Sequence, residues 1–168
     1  MRAYVLGVYT ILLLAHSYLR WPLLLLFLLL LARGVAGWVR RAQWQPMDTG
    51  LLQAATRLLS LQFLVGLLLY VAFSPWIRVA LEDVGAAMRD AQLRYFLVEH
   101  ALLMAIAVTF MSIATGRIKR APAERRFRGT VVAVLITLIL VGAAIPWPGM
   151  SAGRPLFRVQ EQAAPAFF

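Results

Sequence analysis

Four apolar blocks, each about twenty residues or longer, dominate this sequence; they stop near Arg33, before Pro75, at Gly116 and before Pro146. A helix rises about 1.5 Å per residue, so a block of that length crosses roughly 30 Å of hydrocarbon. In lipid the backbone must satisfy its own N–H and C=O groups, which leaves the helix as the form such a block takes. The blocks predict an all-α, integral membrane four-helix bundle with spans over 4–32, 51–73, 95–116 and 130–145. Residues 1–148 make up that transmembrane domain, and 149–168, mixing Pro, Gly, Ala and two arginines without helical periodicity, an extended tail. The first block continues past Arg20 to Ala32, too far for the short core of a cleaved signal peptide.

Charge orients the bundle. The 168 residues are 62% hydrophobic and 14% charged, with a net charge of +10. Arg33, Arg40 and Arg41 follow the first span, and Arg117, Lys119, Arg120, Arg125, Arg126 and Arg128 follow the third. At the other end, Arg78, Arg89 and Arg94 are balanced by Glu82, Asp83 and Asp90. The positive-inside rule then predicts cytoplasmic basic loops and both termini periplasmic, an N-out/C-out multi-pass topology in the inner (cytoplasmic) membrane. Trp76, Tyr95 and Trp147 are expected in the outer aromatic belt, Trp38 and Trp44 in the inner one. Because the basic residues flank spans instead of striping a soluble surface, nucleic acid is excluded as a partner. A Gly-rich phosphate loop is absent, and Ser17 beside His16 has no third group to orient it, which excludes kinase and triad-hydrolase chemistry.

The chemistry-bearing residues are few. Both histidines, His16 and His100, lie inside apolar spans, each 17 residues before a basic anchor (33 − 16 and 117 − 100). They therefore share one membrane depth, as axial ligation of a single haem b requires. Intramembrane ionisable groups are costly and mark sites by default. The chain has no cysteine, so thiolate ligation, Fe–S clusters and covalent haem attachment are excluded. The alternative is a pair of histidines that hydrogen-bond between helices without a cofactor.

Arg20 lies one turn from His16 and is expected either in an ion pair with Glu99 or, with Glu99 as a proton acceptor, in a polar wall beside a haem or quinone. Arg94 is either a propionate contact or an interfacial anchor. Gln62 and Gly66 share a face of the second span, Gln62 as a donor to a quinone carbonyl or to another helix, Gly66 as a place for a flat ring or a close helix. Ala101 and Ala105 read as helix packing. Met104, one turn from His100, is an alternative axial ligand or a packing residue. Pro146 and Pro148 stop the fourth helix. The strip Arg154 to Arg158 is expected over the mouth of the bundle, as a docking strip for another subunit or as a surface tail.

The motifs His16-Ser17-Tyr18-Leu19-Arg20-Trp21, Gln62 to Tyr70, Arg94-Tyr95-Phe96-Leu97-Val98-Glu99-His100 and Pro146-Trp147-Pro148 together resemble a family of small four-span bacterial membrane proteins labelled cytochrome b-like. The likeness covers about residues 10–150 and implies one bis-histidine haem b on His16 and His100. Two histidines set the chain apart from the diheme b561 type, which needs four. The expected function is a monohaem electron-transfer protein, or a subunit of a larger respiratory or photosynthetic complex, exchanging electrons with quinone or a periplasmic carrier. Its rival is a cofactor-free accessory subunit. A stand-alone enzyme is the less expected form.

Overall fold

The computed structural model describes residues 2–157, with side chains from residue 7; the stretch 158–168, including Arg158, lies outside the described residues. Seven α-helices follow in order: α1 (Arg2–Val39), α2 (Pro46–Leu68), α3 (Pro75–Glu82), α4 (Val84–Arg89), α5 (Ala91–Arg94), α6 (His100–Arg120) and α7 (Ala123–Ala144). Four stretches are long and apolar enough to cross a membrane: Gly7–Val39, Pro46–Phe73, Ala91–Arg120 and Ala123–Ala144. The protein is an all-helical membrane four-helix bundle in which α1, α2, α6 and α7 pack in a ring, each against the next.

An interior stripe explains the packing. On α1, Tyr9, Leu13, His16, Arg20, Leu23, Phe27, Leu30, Gly34 and Gly37 recur at alternating steps of four and three. On α2 and into the turn that continues it, Asp48, Leu52, Ala55, Leu59, Gln62, Gly66 and Leu69 do the same. A mean step of 3.5 residues keeps one seam facing its neighbours and lets side chains interlock. Leu23, Phe27, Leu30, Leu52, Ala55, Leu59, Ala107, Met111 and Val134 make one buried core. Leu25, Leu28, Leu29, Leu64, Ile113 and Ile139 point outward and are more than half exposed. Such a surface suits hydrocarbon and would be an aggregation liability in water. At Gly37 any Cβ would strike the Phe127 ring, so glycine lets α1 approach α7 there.

The helices outrun the expected spans at the basic end, where α1 runs to Val39, α2 starts at Pro46, the third span reaches Arg120 and α7 starts at Ala123. Hydropathy tracks the hydrocarbon layer, whereas Arg, Lys and Glu are good helix formers and carry the hydrogen-bonded ladder beyond it. Arg33 thus lies inside α1, where its guanidinium grips buried Asp48 through Nε (2.7 Å) and Nη2 (3.0 Å). The Asp48 carboxylate also accepts from Gln45 N at 2.8 Å, half of a capping box with Pro46 in the first turn. Arg33 stacks over Phe127 on α7 as well, at 4.9 Å.

The opposite end holds α3–α5, each started by a capping side chain. Ser74 accepts from Ile77 N, Asp83 from Ala86 N, and Asp90 from Gln92 N and Leu93 N. Two widened π-helical turns flank these short helices, Leu69–Phe73 and Tyr95–Glu99. In each, an N–H reaches back five residues: Ser74 to Leu69 O and His100 to Tyr95 O. Such turns concentrate at functional sites.

Candidate functional site

The site begins with two prolines. In an unbroken helix the carbonyls of Gly142 and Ala144 would accept from the N–H groups of residues 146 and 148, and both are proline. Side chains take the place of those donors. Trp147 Nε1 donates to Gly142 O at 2.8 Å. Ala144 O receives two groups from the third span, the Tyr95 hydroxyl at 2.8 Å and His100 Nδ1 at 2.7 Å. The π turn makes that double contact possible, because residues five apart, which a regular helix would send to different faces, stand one above the other.

A carbonyl oxygen only accepts, so Nδ1 of His100 carries a proton, and in the neutral ring Nε2 is then the bare nitrogen. Metal-bound histidines are oriented by this kind of contact.

His16 reaches the same place from α1. Its ring lies against the backbone of α2 at Gly66, where a Cβ would come within 2.8 Å of Cε1. Gln62, one turn earlier, donates from Nε2 to the His16 carbonyl at 2.7 Å. Its own Oε1 is buried without a hydrogen-bond partner among the described residues. The two imidazole centroids are 6.2 Å apart with planes at 74°. An iron held by two ring nitrogens at about 2 Å each would set the centroids about 6 Å apart. The separation therefore fits an axial pair.

A cavity of about 150 Å³ lies between them, bordered by His16, Arg20, Gln62, Gly66, His100 and Met104, with Tyr9, Tyr70, Trp76 and Phe96 also on its wall. That volume holds a small aromatic ring and is less than a macrocycle fills. Bringing in a haem therefore requires the lining to spread. The strap after α7 crosses this end of the bundle. Arg154 lies over Trp76 and Phe96 at 4.8 and 5.0 Å, Leu156 O accepts from Arg20 Nη2 (2.7 Å) and Trp21 Nε1 (3.3 Å), and Phe157 stacks on Trp21 at 5.1 Å. The described part of the tail is thus bound to its own bundle over the cavity mouth.

His16, Arg20, Gln62, Gly66 and His100, expected from the sequence, converge on this cavity; Arg94 and Glu99 do not border it. The expected Arg20–Glu99 pair is replaced by Arg94 Nε to Glu99 Oε1 at 2.8 Å, and Arg94 also donates to Met88 O. The cause is again the π turn, which sets residues 94 and 99 side by side. Gln62 gives one of its two amide N–H groups to the His16 carbonyl on α1, a contact to another helix of the kind the sequence offered. Tyr95, expected in an aromatic belt, is instead buried against Ala144.

Trp76, Phe96 and the Tyr95–Ala144 contact escape reading by sequence as site elements. The signal for the last was present in the prolines four residues after Gly142 and Ala144.

Two imidazoles are too few to hold a bare ion, which takes three or four protein ligands. Among the described residues no group of three His, Cys, Asp or Glu is placed to do so. A porphyrin that brings its own four nitrogens needs only the two. No family model, curated protein or solved structure matches the chain.

Proposed function

We propose that this protein is a monohaem b-type electron-transfer protein of the bacterial inner membrane, working as a subunit of a larger redox complex and exchanging electrons with quinone or a periplasmic carrier. The observation that carries this reading is the adjacent pair His16 and His100, from two separate helices, with centroids 6.2 Å apart and His100 Nδ1 bonded to Ala144 O. The likeness of the surrounding motifs to four-span cytochrome b-like proteins supports it. When bound, a haem supplies one-electron redox chemistry.

In this reading His100 and His16 offer ring nitrogens, the Ala144 carbonyl orients one ring, and Gly66 gives the other its space. Arg154 lies on the cavity wall over Trp76 and Phe96 and is a cation of the kind that binds carboxylates. The balance of charge supports an N-out/C-out arrangement, with the linkers at 40–45 and 121–122 in the cytoplasm.

The interhelical bonds Gln62 to His16 O and His100 to Ala144 O also suit a cofactor-free accessory subunit, in which both groups serve as helix glue. An absorption spectrum decides between them. Protein made with ample haem should show a low-spin b-type band that sharpens on dithionite reduction. A colourless product would end the cytochrome reading and leave the accessory subunit.

A further inference from the structure

The Ala144 carbonyl serves two side chains of the third span. It receives Tyr95 Oη at 2.8 Å and His100 Nδ1 at 2.7 Å, with Tyr95 only 4% exposed. We infer that Tyr95 is a positioning residue for His100, acting through this shared carbonyl, and that it sets how strongly the His100 Nε2 donates to a metal. The metal end of this inference rests on the axial-ligand reading; the hydrogen-bond end stands without it.

A carbonyl oxygen has two lone pairs and so can hold both donors, but each draws on the same electron density. With both in place, neither bond is as strong as it would be alone. A stronger Nδ1–H···O bond gives the ring more imidazolate character and makes Nε2 more basic, as outer partners of metal-bound histidines generally do. Greater donation from an axial ligand stabilises the oxidised iron and lowers the potential. Tyr95 therefore tempers His100.

Three local features build this arrangement and have no other evident use together. Pro148 denies Ala144 O its helical donor, Ile145 before Pro146 turns extended (φ −81°, ψ 126°) and ends α7 there, and the π turn aligns residues 95 and 100. A tyrosine that merely tied α6 to α7 would need none of the last alignment.

The test uses the full chain, labelled with ¹⁵N-histidine, in lipid nanodiscs. With only two histidines, His16→Gln assigns both ring systems. Wild-type His100 should be protonated at Nδ1 and bare at Nε2. Tyr95→Phe should move the Nδ1 proton further downfield while the His16 signals stay in place, which also reports that the bundle is intact. The double variant Pro146→Ala/Pro148→Ala, which lets α7 continue and supplies an N–H to Ala144 O, should move the same proton upfield. In haem-loaded protein the midpoint potential should fall for Tyr95→Phe and rise for the proline variant.

A wild-type His100 protonated at Nε2, or a Nδ1 proton unmoved in a folded Tyr95→Phe, overturns the inference. If Tyr95→Phe fails to fold, the proline variant decides: an upfield shift supports the shared carbonyl, and an unmoved or downfield signal refutes it. Protein that binds no haem yet shows the predicted shifts removes the cytochrome reading and leaves the hydrogen-bond relation established.

Discussion

A methyl group at position 66 would lie 2.8 Å from His16 Cε1 and 3.3 Å from Nδ1, so even alanine obliges the imidazole to turn away from α2. Overpacking of this kind costs about 1–3 kcal/mol. Its larger effect is on direction, since the ring must leave its present place beside His100. Gly66→Ala should weaken the low-spin haem band and Gly66→Val abolish it, while Gly50→Ala on the same helix, where nothing lies within 4 Å, leaves the spectrum unchanged. Replacing either histidine with alanine should remove the band altogether or leave a weaker one that disappears on adding Met104→Leu, because Met104 is a sulfur side chain on the cavity wall. Insertion into the membrane should survive in every case, since it depends on the apolar spans. Spectra of matched membrane preparations check both expectations. At this scale the sequence was informative: equal distances to basic anchors paired His16 with His100. It misdirected Glu99, because the partner of that carboxylate is chosen by a local widening of the helix that residue types alone do not announce.

Elements obey the same division. The alternating steps of four and three that put His16, Arg20, Gln62 and Gly66 on interior stripes are plain in the sequence once the period is taken as 3.5, and so are the caps Ser74, Asp83 and Asp90. The π turns are different. They insert one residue into the register, and a smooth periodic pattern carried through residues 95–99 sends Tyr95 and His100 to different faces. The join of α1 to α2 offers a direct stability test. Asp48 is 2% exposed and bound by Arg33, itself 30% exposed on its side chain, and by the N-cap N–H of Gln45. Asp48→Ala strips a charge-assisted pair and a cap at once, and Arg33 can turn partly to solvent, so the expected loss is about 2 kcal/mol and not the full cost of an orphaned buried charge. Thermal unfolding in detergent should show a lowered midpoint for Asp48→Ala and a smaller drop for Asp48→Asn, which retains an oxygen for one bond.

Across the whole molecule, charge and chemistry separate to opposite ends. The linkers at 40–45 and 121–122 sit among Arg40, Arg41, Lys119, Arg120, Arg125, Arg126 and Arg128, while the cavity, the π turns and the Arg154 strap lie at the far end, where acidic and basic residues balance. Moving a loop with this density of arginine across a bilayer is disfavoured, and a shared end for both basic linkers follows from the alternation of four helices. The proposed orientation therefore puts the cavity near the periplasmic face, within reach of a carrier there, and the basic end among anionic lipids. Because the natural chain has no cysteine, single-cysteine variants read this directly. Ala42→Cys and Ala121→Cys should resist a membrane-impermeant maleimide applied to intact cells and react after permeabilisation. Gly85→Cys and Met150→Cys, in exposed positions at the cavity end, should react at once. Labelling of Ala42→Cys and Ala121→Cys in intact cells would invert the molecule. The two imidazoles would keep their separation, and the carrier would have to be sought in the cytoplasm.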